Sequence, residues 1–210
     1  MDYLAIMLFA VATCVTPGPN NVMLMSSGVN FGIGRTMRHV IGINIGFPLM
    51  LIAVGFGAGA VFHGHPKLYT LLQIAGAIYM LYLAYQIATT PTVNFNDTSG
   101  KPLGIFGAAL FQWINPKAWV MSIGAILAYT PPSGAFATEV LLIALIFFVC
   151  GSPCSLLWVL CGRYLRKFLT QPHTLRIFNV CMSLLLVGSL LPTVLELTRH
   201  ATLHALSVVV

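Results

Sequence analysis

Two prolines and a glycine interrupt the first long apolar stretch of the chain, in the run Thr16-Pro17-Gly18-Pro19-Asn20-Asn21. Proline removes a backbone donor and clashes with the preceding helical turn, and glycine has no side chain to hold the backbone in a helix. The run therefore predicts a helix break. In lipid, the backbone groups freed by such a break are tolerated only where protein or a water-filled cavity surrounds them. We expect the break to face the interior of a bundle.

The composition around this run is that of an integral membrane protein. Of the 210 residues, 58% are hydrophobic and 7% are charged, against roughly 25% charged in an ordinary soluble domain. Several apolar runs reach the ~20 residues that a spanning helix needs, and none alternates like a membrane β-strand. The start, Met1-Asp2-Tyr3, lacks the basic region of a cleavable signal peptide, so the first apolar run is expected to be a retained span.

The predicted fold is an all-α membrane protein with six transmembrane helices. The spans are expected at residues 3–27, 40–62, 68–88, 103–129, 135–160 and 175–197. A Gly-rich connector at residues 28–39 and a polar loop at residues 89–102 separate them. Residues 1–197 form one domain in this interpretation, and residues 198–210 form a C-terminal tail. Gly42 and Gly46 lie on one face of span 2, which predicts close approach of another helix, with lining of a substrate path as the alternative.

Basic residues are divided unevenly among the connectors. With both termini outside, the outer side holds Lys67 and Arg199, and the inner connectors hold Arg35, Arg38, Lys101, Arg163, Arg166, Lys167 and Arg176. Cytoplasmic loops carry the excess of basic residues, so both termini are predicted to be periplasmic. Because the basic residues are spread thinly over several connectors, they do not indicate a nucleic-acid partner despite the net charge of +6. Three spans in each half give the halves, about 1–90 and 103–197, opposite orientations.

A second break, Asn115-Pro116-Lys117, lies at the matching place in span 4. Paired broken segments in inverted halves mark the midplane binding site of transporters. The two motifs and the Gly-rich connector resemble the LysE/RhtB family of bacterial amino-acid exporters, over about residues 1–197. The resemblance implies proton-driven export of amino acids or small derivatives across the inner membrane. The paired Asn20 and Asn21 look closest to the branch that exports cysteine and O-acetylserine.

A zwitterionic amino acid needs donors for its carboxylate and acceptors for its ammonium group. Backbone donors at the start of a half-helix, helped by asparagine amides, can hold the carboxylate, and carbonyls of the broken helix can hold the ammonium. Lys117 lies deep in a span, roughly 18 Å from either end, and an intramembrane charge is a site candidate. The alternative is that Lys117 caps broken-helix carbonyls and never meets substrate. The predicted substrate-binding residues are Pro17, Gly18, Pro19, Asn20, Asn21, Asn115, Pro116 and Lys117.

Further polar residues recur near the second break. Gln112, Trp119 and Ser122, with Asn44 of span 2, are predicted to line the path, with helix-to-helix hydrogen bonding as the alternative. The acids Asp2, Asp97, Glu139 and Glu196 lie at span ends or in loops. Because no span centre offers a carboxylate to a cationic side chain, the predicted substrates are small neutral amino acids such as cysteine, O-acetylserine, homoserine or threonine. Because no Asp or Glu lies inside a span to relay protons, Lys117 is the candidate titrating group.

An intramembrane enzyme and a channel are the alternatives to a transporter. An enzyme would need a mid-span acid pair, a Ser–His couple or a metal cluster, and the histidines avoid the span centres. A channel would also tolerate broken helices. The prediction is a secondary active transporter with alternating access, with an amino acid, protons and the lipid bilayer as partners. No cofactor or metal is expected, and a homodimer is left open.

Overall fold

The protein is described by a computed structural model that covers residues 2–58, 66–90, 101–130 and 135–191, with residues 194, 195 and 198. For residues 58 and 66–69 it gives the backbone only. Over this part of the chain the secondary structure is helical. The helices are α1 (Tyr3–Val15), α2 (Pro19–Ala53), a π-helical turn (Val54–Ala58), α3 (Pro66–Ala88), α4 (Ile105–Ile114), α5 (Pro116–Tyr129), α6 (Phe136–Leu165) and α7 (Pro172–Gly188).

Both proline motifs break helices, as predicted. Helix α1 ends at Val15, and α2 begins at Pro19 after an extended Gly18. Helix α4 ends at Ile114, and α5 begins at Pro116 after an extended Asn115. In both breaks a proline occupies the first position of the new helix, where its missing N–H would have had no partner in any case.

The Gly-rich connector predicted at residues 28–39 is right in part: the tight turn that its glycines predict lies at Gly32, but the rest of the segment is helical within α2. Within α2 the backbone leaves helical geometry at Gly32, which has φ 75° and ψ 178°. A positive φ of this kind strains residues with a side chain and is readily adopted by glycine. A single glycine thus replaces the expected loop.

The chain reverses direction at Gly32. A Cβ atom on Gly28 would lie 2.5 Å from the carbonyl oxygen of Val159, and Asn44 accepts a hydrogen bond from Ser155 at 2.9 Å. A straight helix would separate Gly28 and Asn44 by about 24 Å, whereas Val159 and Ser155 are about 6 Å apart along α6. Helix α2 therefore consists of a first leg (residues 19–31) and a second leg (residues 33–53) that lie side by side.

Three helical stretches are long and apolar enough to cross a membrane, at Pro19–Gly57, Thr70–Ala88 and Phe136–Leu165. Shorter apolar helices lie at Tyr3–Val15, Ile105–Ile114 and Pro172–Gly188. These features confirm an all-α membrane protein. The reversal at Gly32 divides the longest stretch into two legs, whereas the number of six crossings stays a prediction.

Glycines bring the legs of α2 close to their neighbours. A Cβ atom on Gly162 of α6 would lie 2.2 Å from the carbonyl oxygen of Met25 in the first leg. On the second leg, a Cβ on Gly46 would lie 2.4 Å from the Cα of Ala109 in α4. The glycine face predicted for span 2 is therefore a packing surface that holds the second leg against α4, and Gly162 of α6 allows the first leg to approach α6.

Candidate functional site

The two helix breaks meet through Lys117 at the start of α5. Its Nζ donates to the carbonyl oxygen of Thr16 at 2.8 Å and to the Thr16 hydroxyl at 2.9 Å, with a longer contact of 3.4 Å to the carbonyl of Pro17. The last carbonyls of a helix lack intrahelical partners and carry partial negative charge. The ammonium group of Lys117 therefore caps the end of α1 in this conformation.

Gly18 makes room for the Lys117 side chain. A Cβ atom on Gly18 would lie 2.7 Å from Cδ and 3.1 Å from Nζ of Lys117. The extended backbone of Gly18 is open to any residue, so the requirement for glycine comes from this close approach alone. The Pro-Gly-Pro run thus has two roles. Its prolines separate α1 from α2, and its glycine leaves space for the Lys117 side chain to pass over the break and reach Thr16.

Asn21 ties the end of α1 to the start of α2. Its amide nitrogen donates to the carbonyl oxygens of Cys14 and Thr16, each at 2.7 Å. The side chain is buried, with 7% exposure, so both bonds are shielded from solvent. The carbonyl of Thr16 consequently has two donors, the Asn21 amide and the Lys117 ammonium.

Asn20 pairs with Gln112 of α4. The Asn20 amide nitrogen donates to Gln112 Oε1 at 2.8 Å, and Gln112 Nε2 donates back to Asn20 Oδ1 at 3.2 Å. Gln112 Nε2 also donates to the carbonyl of Ala108 at 2.8 Å. This reciprocal amide pair joins the first break to the helix that precedes the second.

The starts of the two new helices are capped differently. At α5, the Asn115 side chain accepts a hydrogen bond from the backbone N–H of Lys117 at 3.1 Å. At α2, Gly18 provides no side-chain cap, so the N–H groups of Asn20 and Asn21 have no acceptor within their own helix. Backbone donors and the positive end of the α2 dipole are therefore directed toward the space between the breaks.

A cavity of about 50 Å³ occupies that space. It is lined by residues of both breaks, of the second leg of α2 and of α6, namely Thr13, Cys14, Gly18, Asn20, Asn21, Ile43, Asn44, Phe47, Pro48, Asn115, Lys117, Ala118, Met121, Phe147, Gly151 and Ser155. The volume lies well below the ~300 Å³ at which ordinary ligand pockets begin. In this conformation the cavity has room for a few water molecules, and a substrate would require it to open further.

The structure places most predicted site residues at this cavity. Gly18, Asn20, Asn21, Asn115 and Lys117 line it directly. The remaining three predicted residues, Pro17, Pro19 and Pro116, build the breaks without being part of the lining.

The predicted path residues divide into two groups. Asn44 lines the cavity, whereas Gln112 is fully buried in its pair with Asn20. Trp119 donates from Nε1 to the carbonyl of Trp113 at 2.7 Å. Ser122 is fully buried, and its hydroxyl has no hydrogen-bond partner among the described residues. Outside Asn44, these side chains make helix-to-helix or buried contacts away from the cavity lining.

Sequence reasoning missed part of the cavity wall. Phe47 and Phe147 face each other there, with ring centroids 5.2 Å apart, and apolar residues of spans give no signal because the lipid face uses them too. Cys14 also lines the cavity, although its type indicates a small packing residue. Ser155, which donates to Asn44, could have been found as a polar residue inside an apolar span.

A family model for LysE type translocators matches residues 11–190 of the chain. The chain belongs to this family. The match confirms the resemblance carried by the two breaks, and it makes the protein a multi-pass membrane transporter and not an enzyme.

Curated relatives of this translocator are similar over most of its length. The cysteine/O-acetylserine efflux proteins of Escherichia coli (strain K12) and Shigella sonnei (strain Ss046) are each 26% identical over 182 residues, covering 85% of this chain and 90% of the relative. No solved structure gives a significant match. The matched family range contains both breaks of the translocator and excludes its tail (198–210), of which the structure describes residue 198 alone.

Proposed function

We propose that this translocator is a secondary active exporter of small neutral amino acids or their derivatives, of the cysteine/O-acetylserine or homoserine/threonine type. It works across the bacterial inner membrane by alternating access and antiport with protons, with both termini in the periplasm. The observation that carries the proposal is the cavity between the two helix breaks, where the uncapped start of α2 and the Lys117 ammonium lie at one site within a mainly apolar lining.

Substrate binding in this proposal is an exchange of partners. The carboxylate of the amino acid binds Lys117 Nζ and the first N–H groups of α2, because both are donors and both carry positive charge. Lys117 then leaves the carbonyl and hydroxyl oxygens of Thr16. Those oxygens become acceptors for the substrate ammonium. A zwitterion therefore replaces the Lys117–Thr16 contact group by group, and each charged group has hydrogen-bond partners.

The lining also supports a neutral side chain. Lys117 is the charged residue among those described as lining the cavity, so a second cation would be repelled and would find no carboxylate. Phe47 and Phe147 offer an apolar wall to a small side chain. The names of the relatives, cysteine/O-acetylserine efflux proteins, support the same substrate class.

Alternating access and proton coupling follow from the same groups. In this proposal the narrow cavity and the Asn20–Gln112 pair belong to one state of the cycle, and widening the cavity on either side requires contacts between the breaks to be remade. Lys117 is the candidate proton carrier.

The test is transport in proteoliposomes that contain the purified protein. Liposomes preloaded with unlabelled cysteine should accumulate external [³⁵S]cysteine by counterflow, and serine-type amino acids should compete while lysine and arginine should not. A pH gradient alone should drive uphill movement. Exchange restricted to lysine or arginine would refute the substrate class, and downhill flux that no gradient can reverse would favour a channel.

A further inference from the structure

A hydrogen-bonded pair of polar side chains lies in the wall of the cavity between the breaks, outside the two break motifs. Ser155 of α6 donates to Oδ1 of Asn44, in the second leg of α2, at 2.9 Å, and both residues line the cavity. Ser155 is buried, with 7% exposure, and Asn44 is half-buried. The exchange of partners proposed for Lys117 and Thr16 does not use this pair, so its role is still to be explained.

The bond to Ser155 fixes the direction of the Asn44 amide. Its oxygen faces Ser155, so its two N–H groups point elsewhere. The amide nitrogen has no hydrogen-bond partner among the described residues, and it is not fully enclosed by protein. Asn44 therefore presents donors, held in one orientation, to a cavity whose lining is mainly apolar.

The Asn44 amide lies within reach of a substrate held at the end of α1. A Cβ atom on Gly151 of α6 would lie 3.4 Å from Sγ of Cys14, near the end of α1. Ser155 follows Gly151 by four residues, or about 6 Å along α6. Phe47 follows Asn44 by three residues on the second leg, and both line the cavity. A short side chain can therefore lie along Phe47 with its terminal group at the Asn44 amide.

We propose that Asn44 determines the side-chain specificity of the exporter, in that its Nδ2 donates to an oxygen atom of the substrate side chain, and that Ser155 is the positioning residue for its amide. The inference rests on the proposed function and narrows its substrates. Hydroxyl and ester oxygens accept such a bond, as in homoserine, threonine and O-acetylserine. A thiol is a weak acceptor, so cysteine ranks below them, and an ammonium group cannot accept at all.

Three amino acids that differ only at the end of the side chain test this inference. L-Homoserine ends in a hydroxyl, L-norvaline in a methyl and L-2,4-diaminobutyrate in an ammonium group, and each is added as an unlabelled competitor of [³⁵S]cysteine counterflow. Homoserine should inhibit at a roughly two- to tenfold lower concentration than norvaline, as expected for one neutral hydrogen bond, and diaminobutyrate should not compete. Equal inhibition by homoserine and norvaline would overturn the proposal.

Variants assign the preference to the pair. The ratio of the two inhibitory concentrations is compared within each variant, so that a general change in activity cancels. Asn44→Leu removes the donor and should bring the ratio to about one or below, and Ser155→Ala should reduce it. Ser152→Ala is the matched control, because its hydroxyl donates to the carbonyl of Phe148 in the same helix, outside the cavity lining, and it should keep the wild-type ratio. A wild-type ratio in Asn44→Leu would refute the role of Asn44.

Asn44→Asp gives a second reading that does not depend on the leucine variant being inserted. The aspartate keeps an oxygen to which Ser155 can donate and places a carboxylate where the amide nitrogen was. If the substrate side chain ends at this position, diaminobutyrate should compete in Asn44→Asp, whereas the wild-type protein rejects it. Continued rejection in the inserted variant would place the side chain elsewhere and overturn the proposal.

Ligand-induced rises in the melting temperature of the purified protein distinguish this inference from the proposed function, because binding stabilises the folded state without transport. Cysteine counterflow without a preference for homoserine would refute the inference and leave the proposed function standing. A homoserine preference in the melting temperatures that Asn44→Leu removes, without transport of any amino acid, would refute the proposed function and keep the role of Asn44.

Discussion

Replacing Lys117 with methionine separates a substrate contact from a structural cap. The ammonium donates to two oxygens of Thr16, so its removal takes a hydrogen-bond donor away from the end of α1. The Thr16 carbonyl keeps a second donor, however, because Asn21 Nδ2 lies 2.7 Å from it. The substitution therefore leaves no carbonyl orphaned at this position. It also removes a mid-span charge that costs roughly 2.5–3.5 kcal/mol to insert, so we expect Lys117→Met to fold and insert at least as well as the wild type.

Transport should respond very differently. If Lys117 holds the substrate carboxylate, the variant loses a charge-assisted hydrogen bond worth about 1.5–3 kcal/mol, which corresponds to a roughly ten- to more than hundredfold weaker affinity. Lys117→Arg should restore transport incompletely, since a planar guanidinium is wider than the ammonium and Gly18 already leaves little space around the lysine side chain.

The assay is the initial rate of counterflow against cysteine concentration, with the amount of inserted protein quantified in the same liposomes. Lys167→Met is the matched control, because it removes the same charge outside the cavity lining. Lys117→Met should show a strongly raised apparent KM, and Lys167→Met should behave like the wild type. Wild-type kinetics from well-inserted Lys117→Met protein would refute the role in binding and leave Lys117 as a cap of α1.

Three further predictions concern packing, the amide pair and orientation. Gly28→Ala should lower the free energy of unfolding in detergent by roughly 1–3 kcal/mol, because the new Cβ would lie 2.5 Å from the Val159 carbonyl oxygen. Gly34→Ala is the control and should be neutral or stabilising, because no atom lies within 4 Å of its Cβ position. Equal melting temperatures of the two variants would contradict the packing argument. Asn20→Leu should cost about 1–3 kcal/mol, because it takes the donor from Oε1 of the fully buried Gln112. Gln112→Leu should cost less, because the Asn20 that it leaves is half-buried and lines the cavity, and the double variant should cost less than the sum of the two in the same melting experiment. A periplasm-dependent reporter fused to the C-terminus should be active, and activity of a cytoplasm-dependent reporter instead would reverse the proposed orientation.

The positions of both helix breaks could be predicted from the sequence because proline and glycine act locally. The cluster Pro17-Gly18-Pro19 and the pair Asn115-Pro116 mark the two places where the structure shows breaks, whereas Pro48 and Pro153 lie inside helices α2 and α6. The rarity of charge inside spans likewise singles out Lys117. Both predictions depend on the residue type and on the lipid environment, and neither requires knowledge of which helices are neighbours.

The turn at Gly32 could not be located in the same way. Residues 28–39 contain several glycines and two arginines, which is typical of a loop, yet the helix continues on both sides of one glycine. Within this segment Gly28 packs against Val159 of α6. The partner is far away in the chain, so tertiary contacts override the local preference.

The cavity between the breaks shows how two similar motifs acquire different roles. Each break exposes a helix end and a helix start, yet Asn115 caps the start of α5, whereas Gly18 leaves the start of α2 uncapped. If the caps were equal, the positive ends of α2 and α5 would compete for a carboxylate. Because the start of α5 is already satisfied, the proposed function gives the carboxylate a single preferred position at α2 and places the ammonium near the opposite partial charge at the end of α1. Lys117 bridges these two positions, since its backbone N–H belongs to the capped start and its Nζ reaches the end of α1. The orientation of a bound zwitterion is thus set by which of two proline breaks carries the asparagine cap. Placing an asparagine cap on α2 with Gly18→Asn should therefore abolish counterflow, because the new side chain would occupy the free N–H groups of α2 and displace the Lys117 side chain. Asn115→Asp retains a capping oxygen at α5 and should preserve the fold, as measured by the melting temperature.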